Sequence, residues 1–258
     1  MSAEVAPVGP MLVQSTRAEF LKLWREPIFS IFSMALPVMF YFFFGISSAK
    51  TVVHGVNIGA VILASLSAYA VANVMLFSFG IGVAIDRGRK FDVLMRATPL
   101  RPWVTLVAKV VTGLLFGFLA LVILFAFAYF VGGLRMETAQ WLTLTGRLLL
   151  GALPFLAMGF AIGYLVSPNA APAVVNLVAL PMYFASGLFI PVEQLPEFIR
   201  GIAPFLPAYH YGQIAWQAVG RPPDNPLWVS AVVLTGFGIA FLAIALWAAR
   251  IDDSKKFG

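Results

Sequence analysis

The sequence predicts an all-α integral membrane protein, and three observations carry that prediction. Apolar runs close to the length of a bilayer-crossing helix recur along the 258 residues. Asp, Glu, Lys and Arg make up 11% of the chain, whereas soluble domains carry about 25%. The charges that exist collect in the breaks between the runs and stay out of their middles.

The elements follow in order. Residues 1–10 read as a polar, disordered tail, and 11–257 as a single membrane domain. Residues 11–26 predict an amphipathic helix lying at the membrane interface. Val13, Thr16, Phe20, Leu23 and Trp24 fall on one side of it, and Gln14, Arg17, Lys22 and Arg25 on the other. A crossing helix needs about 20 mostly apolar residues. Six segments read as transmembrane helices: 28–46, 58–85, 103–131, 145–166, 173–190 and 227–249. The breaks are a short polar turn at 47–57, a basic segment at 86–101, a Gly-Gly-containing break at 132–144, a tight Ser-Pro-Asn-Ala-Ala-Pro turn at 167–172, and a longer stretch at 191–226. Pro37, Pro154 and Pro181 fall inside spans, where they predict kinks.

Basic residues set the orientation, because cytoplasmic loops are enriched in Lys and Arg. With the N-terminus inside, Arg17, Lys22, Arg25, Arg87, Arg89, Lys90, Arg96, Arg101, Lys109, Arg250, Lys255 and Lys256 are cytoplasmic. Only Lys50, Arg135, Arg147, Arg200 and Arg221 are outside. The expectation is a multi-pass protein of the cell membrane (inner or plasma membrane) with both termini cytoplasmic. The net charge of +6 is accounted for by this bias and does not call for nucleic acid.

The chemistry that is missing narrows the function. There is no Cys and there are two His, with no metal-binding spacing between them. A metal site, a catalytic residue and a bound cofactor are therefore not expected in this chain. Every Asp and Glu lies in a loop, a tail or a span end. An ion-coupled carrier ordinarily needs an ionisable group at mid-membrane, so that class is disfavoured. No phosphate-binding Gly-x-x-x-x-Gly-Lys-Ser/Thr loop is present.

Two segments stand out. In 86–101, Phe91, Leu94 and Met95 share one face at i, i+3, i+4 spacing, while Arg87, Arg89, Lys90, Asp92 and Arg96 dress the others. Thr98-Pro99 ends the pattern. This predicts a short cytoplasmic helix offered to a partner, with Asp86, Arg87, Arg89, Phe91, Asp92, Leu94, Met95 and Arg96 as the docking residues. The stretch 191–226 is too apolar for an ordinary loop and too broken to span. It predicts a re-entrant outer hairpin before the last span, with Pro196, Pro204, Pro207 and Tyr209 at an outer gate and a second short helix over 208–219. Ala64, Ala68 and Ala72, Gly113 and Gly117, and Gly159 and Gly163 form small-residue stripes that predict close packing within the subunit. Ser65, Ser67, Asn73, Ser78 and Asn176 are polar residues inside predicted spans, read as interhelical hydrogen bonds or as substrate contacts.

These segments resemble the permease subunits of type-2 ABC exporters, in the daunorubicin-exporter-like branch. Glu19-Phe-Leu-Lys-Leu-Trp-Arg-Glu-Pro27 is similar to the family's amphipathic helix. Asp86-Arg87-Gly88, followed by Leu94-Met-Arg-Ala-Thr-Pro-Leu-Arg-Pro-Trp103, is similar to its coupling helix and the turn after it. Ser186-Gly-Leu-Phe-Ile-Pro-Val-Glu-Gln-Leu-Pro196 and Pro204-Phe-Leu-Pro-Ala-Tyr209 resemble the two halves of its re-entrant element. Many members carry Glu-Arg-Glu where Asp86-Arg87-Gly88 stands, and often Gly-Thr where Phe91-Asp92 stands. The resemblance implies a coupling helix docked on a separate ATP-binding subunit that holds ATP and Mg, and a second permease copy or a sister permease. It also implies export of an amphipathic or lipid-like compound of drug, antibiotic or glycolipid type. The pathway would run between facing subunits, with Asn73, Phe77, Asn176, Met182 and Tyr183 as its candidate walls. The alternatives are a non-transporting membrane assembly or scaffold protein and, less favoured, the ion-coupled carrier.

Overall fold

A computed structural model describes the backbone of residues 7–89 and 102–257, with the side chains of 27–30, 32, 102 and 253–257 left undescribed. Helix α1 (Val8–Trp24) is followed by α2 (Pro27–Phe40), a π-helical turn (Tyr41–Gly45) and the short α3 (Ile46–Ser48). These last three run on from Pro27 to Ser48, about 33 Å at the helical rise, which suffices for a ~30 Å hydrocarbon core. The π turn opens one turn after Pro37, whose missing N–H breaks the regular ladder.

The polar turn at 47–57 is a minimal hairpin. Strands β1 (Val52–Val53) and β2 (Val56–Asn57) pair antiparallel around His54 and Gly55, both at positive φ (50° and 80°). Positive φ at both central positions matches the right-handed strand twist. Asn57 then caps α4 (Ile58–Gly88) by accepting from the Ala60 N–H.

Helix α5 covers Pro102–Phe130, α6 Thr138–Gly151, α7 Leu153–Leu165 and α8 Ala171–Ala185. Two short helices, α9 (Glu197–Ile202) and α10 (Pro207–Ala218), precede α11 (Leu227–Phe257). Four helices are long and apolar enough to cross a membrane: Ile58–Gly88, Trp103–Phe130, Thr138–Leu165 and Leu227–Asp252. Ser33–Ser48 and Ala171–Ala185 are apolar but shorter. The chain is an all-α membrane protein.

Helix α4 is the axis of the bundle. Almost every residue between Gly59 and Met75 on it is buried, and its most extensive contact is with α7. Glycine makes that crossing close: a Cβ at Gly159 would lie 2.9 Å from the Leu76 carbonyl oxygen, and one at Gly163 would lie 2.9 Å from that of Phe79. The Gly159/Gly163 stripe therefore packs within the subunit, as expected. The other stripes also turn inward, and Ala64, Ala68 and Ala72 are fully buried.

Several boundaries differ from the sequence reading, among them the fifth span, read to 190 but ending as a helix at Ala185. The fourth segment starts at Thr138, two turns before the predicted residue 145. Glu137 and Gln140 form a reciprocal capping box there, with the Gln140 side chain accepting from the Glu137 N–H at 3.1 Å. The polar Thr138, Gln140 and Thr143 suggested a loop by hydropathy, whereas the cap makes them a first helical turn. The segment then breaks at Ala152, just before Leu153-Pro154 opens α7, so Pro154 interrupts the span as predicted. The last helix continues past 249 to Phe257.

Helix α8 has 15 residues, about 22 Å, and falls short of a full crossing. Helix α10 begins at Pro207, ends beside Gly220 (φ 89°) and is almost wholly buried, packed against α4, α6 and α11.

Candidate functional site: a charged hub at the end of α4

The last turn of α4 carries Asp86 and Arg87. Adjacent helical positions are separated by about 100°, so the two side chains engage different neighbours. Asp86 accepts from Lys109 on α5 at 2.8 Å and pairs with Lys22 on α1 at 2.5 Å. Lys109 also pairs with Glu19 on α1 at 2.8 Å. The four side chains form a chain of alternating sign, Glu19–Lys109–Asp86–Lys22, with no net charge. Lys109 and Asp86 are only 17% and 16% exposed, and two carboxylates compensate this nearly buried ammonium. Lys109 therefore has no need to reach out to the interface as a lone snorkelling cation would.

Arg87 faces the opposite way. It donates to the Gly163 carbonyl at 2.7 Å and, more weakly, to that of Val166 at 3.4 Å, at the C-terminal end of α7. Those last carbonyls lack intrahelical partners and carry the negative end of the helix dipole, so a cation is favoured there. Arg87 also pairs with Asp252 of α11 at 2.5 Å and lies 5.5 Å from the centre of the Tyr164 ring. Two consecutive residues thus tie the end of α4 to α1, α5, α7 and α11. Close packing accompanies the tie: a Cβ at Gly88 would meet Pro168 Cγ at 2.5 Å.

Against the α1 side of the hub lies a cavity of about 110 Å³. Glu19, Lys22, Glu26, Lys109 and Thr112 supply its polar lining, and Phe77 and Ile81 its apolar lining. Helix α1 is held over it by Phe20 against Phe116, ring centres 4.8 Å apart, and by Thr112 Oγ1 donating to the Thr16 carbonyl at 3.3 Å. Val13 and Trp24 stay exposed on α1, as an interfacial helix requires.

The predicted docking residues divide at this point. Asp86 and Arg87 are in the hub, and Arg89 is exposed at the helix end. Phe91, Asp92, Leu94, Met95 and Arg96 lie outside the described residues. The hub joins residues that α4 brings to one end of the bundle but that the sequence separates by as much as 165 positions. Sequence reasoning missed the roles of Glu19, Lys109 and Asp252. An acidic residue at each of two helix ends was the available signal, but it does not specify a partner.

The predicted pathway residues are not brought together on one surface. Asn73 is half-buried on α4, and Phe77 faces the small cavity. Met182 and Tyr183 are inside the bundle, with Tyr183 edge-on to Tyr69 at 5.3 Å. Asn176 is on the exterior of α8 and donates to the Pro172 carbonyl of its own helix at 2.9 Å.

The predicted outer-gate residues lie at the other end of the bundle. Pro196 is exposed at the start of α9, and Pro207 is buried at the start of α10. Pro204 offers its carbonyl to His210 Nε2 at 2.9 Å, and His210 Nδ1 is 3.2 Å from Ser230 Oγ on α11. Tyr209 donates to Asp224 at 2.9 Å, and Gln213 donates to the same carboxylate. Burial, reinforced by that carboxylate, pushes the Tyr209 phenol up to about 12, so it remains a donor. Trp216 donates to Ser65 on α4 at 2.7 Å, and Tyr211 to the Leu148 carbonyl on α6 at 2.7 Å. Ser65 is thereby a satisfied interhelical partner. Arg221, stacked 4.8 Å from Trp216, pairs with Glu193 at 2.7 Å and closes the hairpin.

Among the described residues no group of His, Asp and Glu is placed to hold a metal ion. With that geometry in place, comparison with known proteins becomes specific. Residues 12–218 match the sequence profile described as ABC-2 type transporter. The chain is also 25% identical over 244 residues to YvfS of Bacillus subtilis (strain 168), a protein whose name describes a transport permease. That alignment covers 95% of this chain and 99% of the relative.

Proposed function

The chain belongs to the ABC-2 type transporter family, and we propose that it is the membrane-spanning subunit of an ATP-driven exporter of an amphipathic or lipid-like compound. One observation carries the reading. The basic segment that begins at Arg89 continues directly from a helix end bolted to four other helices by the Asp86 and Arg87 pairs. A force applied to that segment reaches α1, α5, α7 and α11 together. A topogenic loop would need its positive charges, but not this anchorage.

In this reading the segment lies in the cytoplasm and docks on an ATP-binding subunit that holds ATP and Mg. Nucleotide-driven closure moves the hub as a unit, and the hairpin of α9 and α10 closes the outer end. A second copy or a sister permease completes the pathway, against faces that include the exposed Asn176, Leu177 and Leu180 of α8. The chain itself contributes no catalysis.

Co-purification tests this. The tagged chain in detergent is expected to retain its ATP-binding subunit. Arg89→Glu combined with Arg96→Glu releases that subunit while the chain elutes at an unchanged position on gel filtration. Undiminished retention by the double variant would remove the docking assignment.

A further inference from the structure

Arg147 presents a problem that the hub does not answer. The sequence places it near the outer end of a span starting at 145, but α6 begins at Thr138. Arg147 therefore lies more than two turns into the helix, where its polar opening turns give way to the apolar residues that run on to Leu165. A cation at the edge of such a segment ordinarily has a named partner. Arg147 is half-buried and donates to the Ile214 carbonyl at 3.2 Å. Among the described residues no carboxylate pairs with it. A guanidinium carries five N–H donors, so most of its capacity is unused by the protein.

Beneath Arg147 lies a groove of about 590 Å³ between α6/α7 and α11. Leu150, Pro154, Ala157, Leu234 and Leu242 line it, and Arg147 is the one charged residue that does. The groove opens outward: Leu150 is 73% exposed and Leu242 47%. From Arg147 to Ala157 the helical rise amounts to about 15 Å, half of a ~30 Å hydrocarbon core. Its depth below the cation is therefore that of one leaflet. Because α7 ends beside Arg87, this is the leaflet opposite the hub.

We infer that this groove binds an anionic phospholipid of the bilayer, its phosphate on the Arg147 guanidinium and an acyl chain along α7 and α11. Charge complementarity selects the headgroup, since a guanidinium pairs bidentately with phosphate. The apolar, leaflet-deep trough selects the chain. A soluble anion would leave the trough unfilled, and a zwitterionic lipid offers the same phosphate with a compensating ammonium beside it, so its net attraction to the guanidinium is weaker. The site lies apart from the hub, and the inference does not depend on ATP-driven export.

The test uses the full chain in nanodiscs, with spin-labelled phosphatidylglycerol and spin-labelled phosphatidylcholine as probes. The motionally restricted fraction is read for each. The protein prefers phosphatidylglycerol by about fivefold, the factor expected of one basic side chain acting on an anionic headgroup. Arg147→Gln abolishes the preference and Arg147→Lys retains part of it. Ala231→Phe, which fills the groove without touching Arg147, lowers the restricted fraction of both labels. Equal restriction of the two lipids by the unmodified protein, or a preference that survives Arg147→Gln, overturns the inference. Efficient cross-linking between two copies carrying Leu242→Cys also overturns it, because the groove would then be a subunit interface. Should Arg147→Gln fail to fold, Ala231→Phe leaves the Ile214 hydrogen bond intact and still decides: an unchanged restricted fraction rejects the site.

Discussion

The two ends of the bundle are tied to the neighbouring long helices by different kinds of bond, the Arg221–Glu193 pair and the Asp224 carboxylate acting within the hairpin itself. At the α4 terminus, Glu19, Lys22, Asp86, Arg87, Lys109 and Asp252 join α1, α4, α5 and α11 through ion pairs that remain partly exposed. At the α10 end, Tyr211, Trp216 and His210 join α6, α4 and α11 through neutral hydrogen bonds inside the core. Ion pairs tolerate sliding, because Coulomb attraction falls off gradually with distance and several acceptors can share one cation. Short neutral bonds in a close-packed core are made or lost over tenths of an ångström. In the proposed exporter the first end moves while staying connected and the second stays in place, a lever and a cap.

Substitutions should separate the two. The largest effect falls on the cap: Trp216→Ala removes a buried ring and strands Ser65, and is expected to lower stability by about 3–5 kcal/mol, with no dependence on salt. Arg87→Asp sets two carboxylates together beside the end of α7 and costs about 3 kcal/mol. Asp252→Arg in the same chain restores part of it by reversing the pair, which thermal unfolding in detergent would read directly. Lys109→Met leaves Glu19 and Asp86 facing each other and costs about 2 kcal/mol, less than full burial would predict because the pair is partly solvated. Raising the salt should narrow this difference, whereas it should leave the Trp216→Ala difference unchanged. A salt response equal at both ends would erase the contrast between them.

The smallest effect concerns acid. Burial is the larger influence on His210 and holds its pKa below the ordinary value, against the opposing bond to Pro204. The folded protein therefore keeps the ring neutral where the unfolded chain begins to take up a proton. Its contribution is complete above about pH 6.5 and declines as the pH falls below that. His210→Asn should flatten this part of the stability profile. A profile identical to that of the unmodified protein would exclude His210 from it.

Much of the fold is written locally and could be read without coordinates. Each long apolar run is a helix because hydropathy and length are properties of the segment itself. Pro154 and Gly220 mark where helices stop because their backbone constraints are their own. The Glu137/Gln140 cap was equally local but polar, and hydropathy hid it. The hub was legible only in part. Asp86 and Arg87 stand out as charges at a span end, yet Arg87–Asp252 joins residues 165 apart and Trp216–Ser65 joins residues 151 apart. Nothing in either segment names its partner, since such pairing is decided by the order in which helices pack. Met182 and Tyr183 illustrate the same limit: a period places them on a face of α8, but only the bundle decides that this face is inward.

The most direct test exploits the absence of cysteine from the chain. Arg89→Cys provides a single thiol at the start of the basic segment. In sealed membrane vesicles of known orientation, a membrane-impermeant maleimide should reach that thiol only from the cytoplasmic face, and adding the ATP-binding subunit should slow the reaction. Labelling from the opposite face, or at a rate indifferent to that subunit, would contradict the proposal that the segment is the contact through which ATP hydrolysis moves this permease.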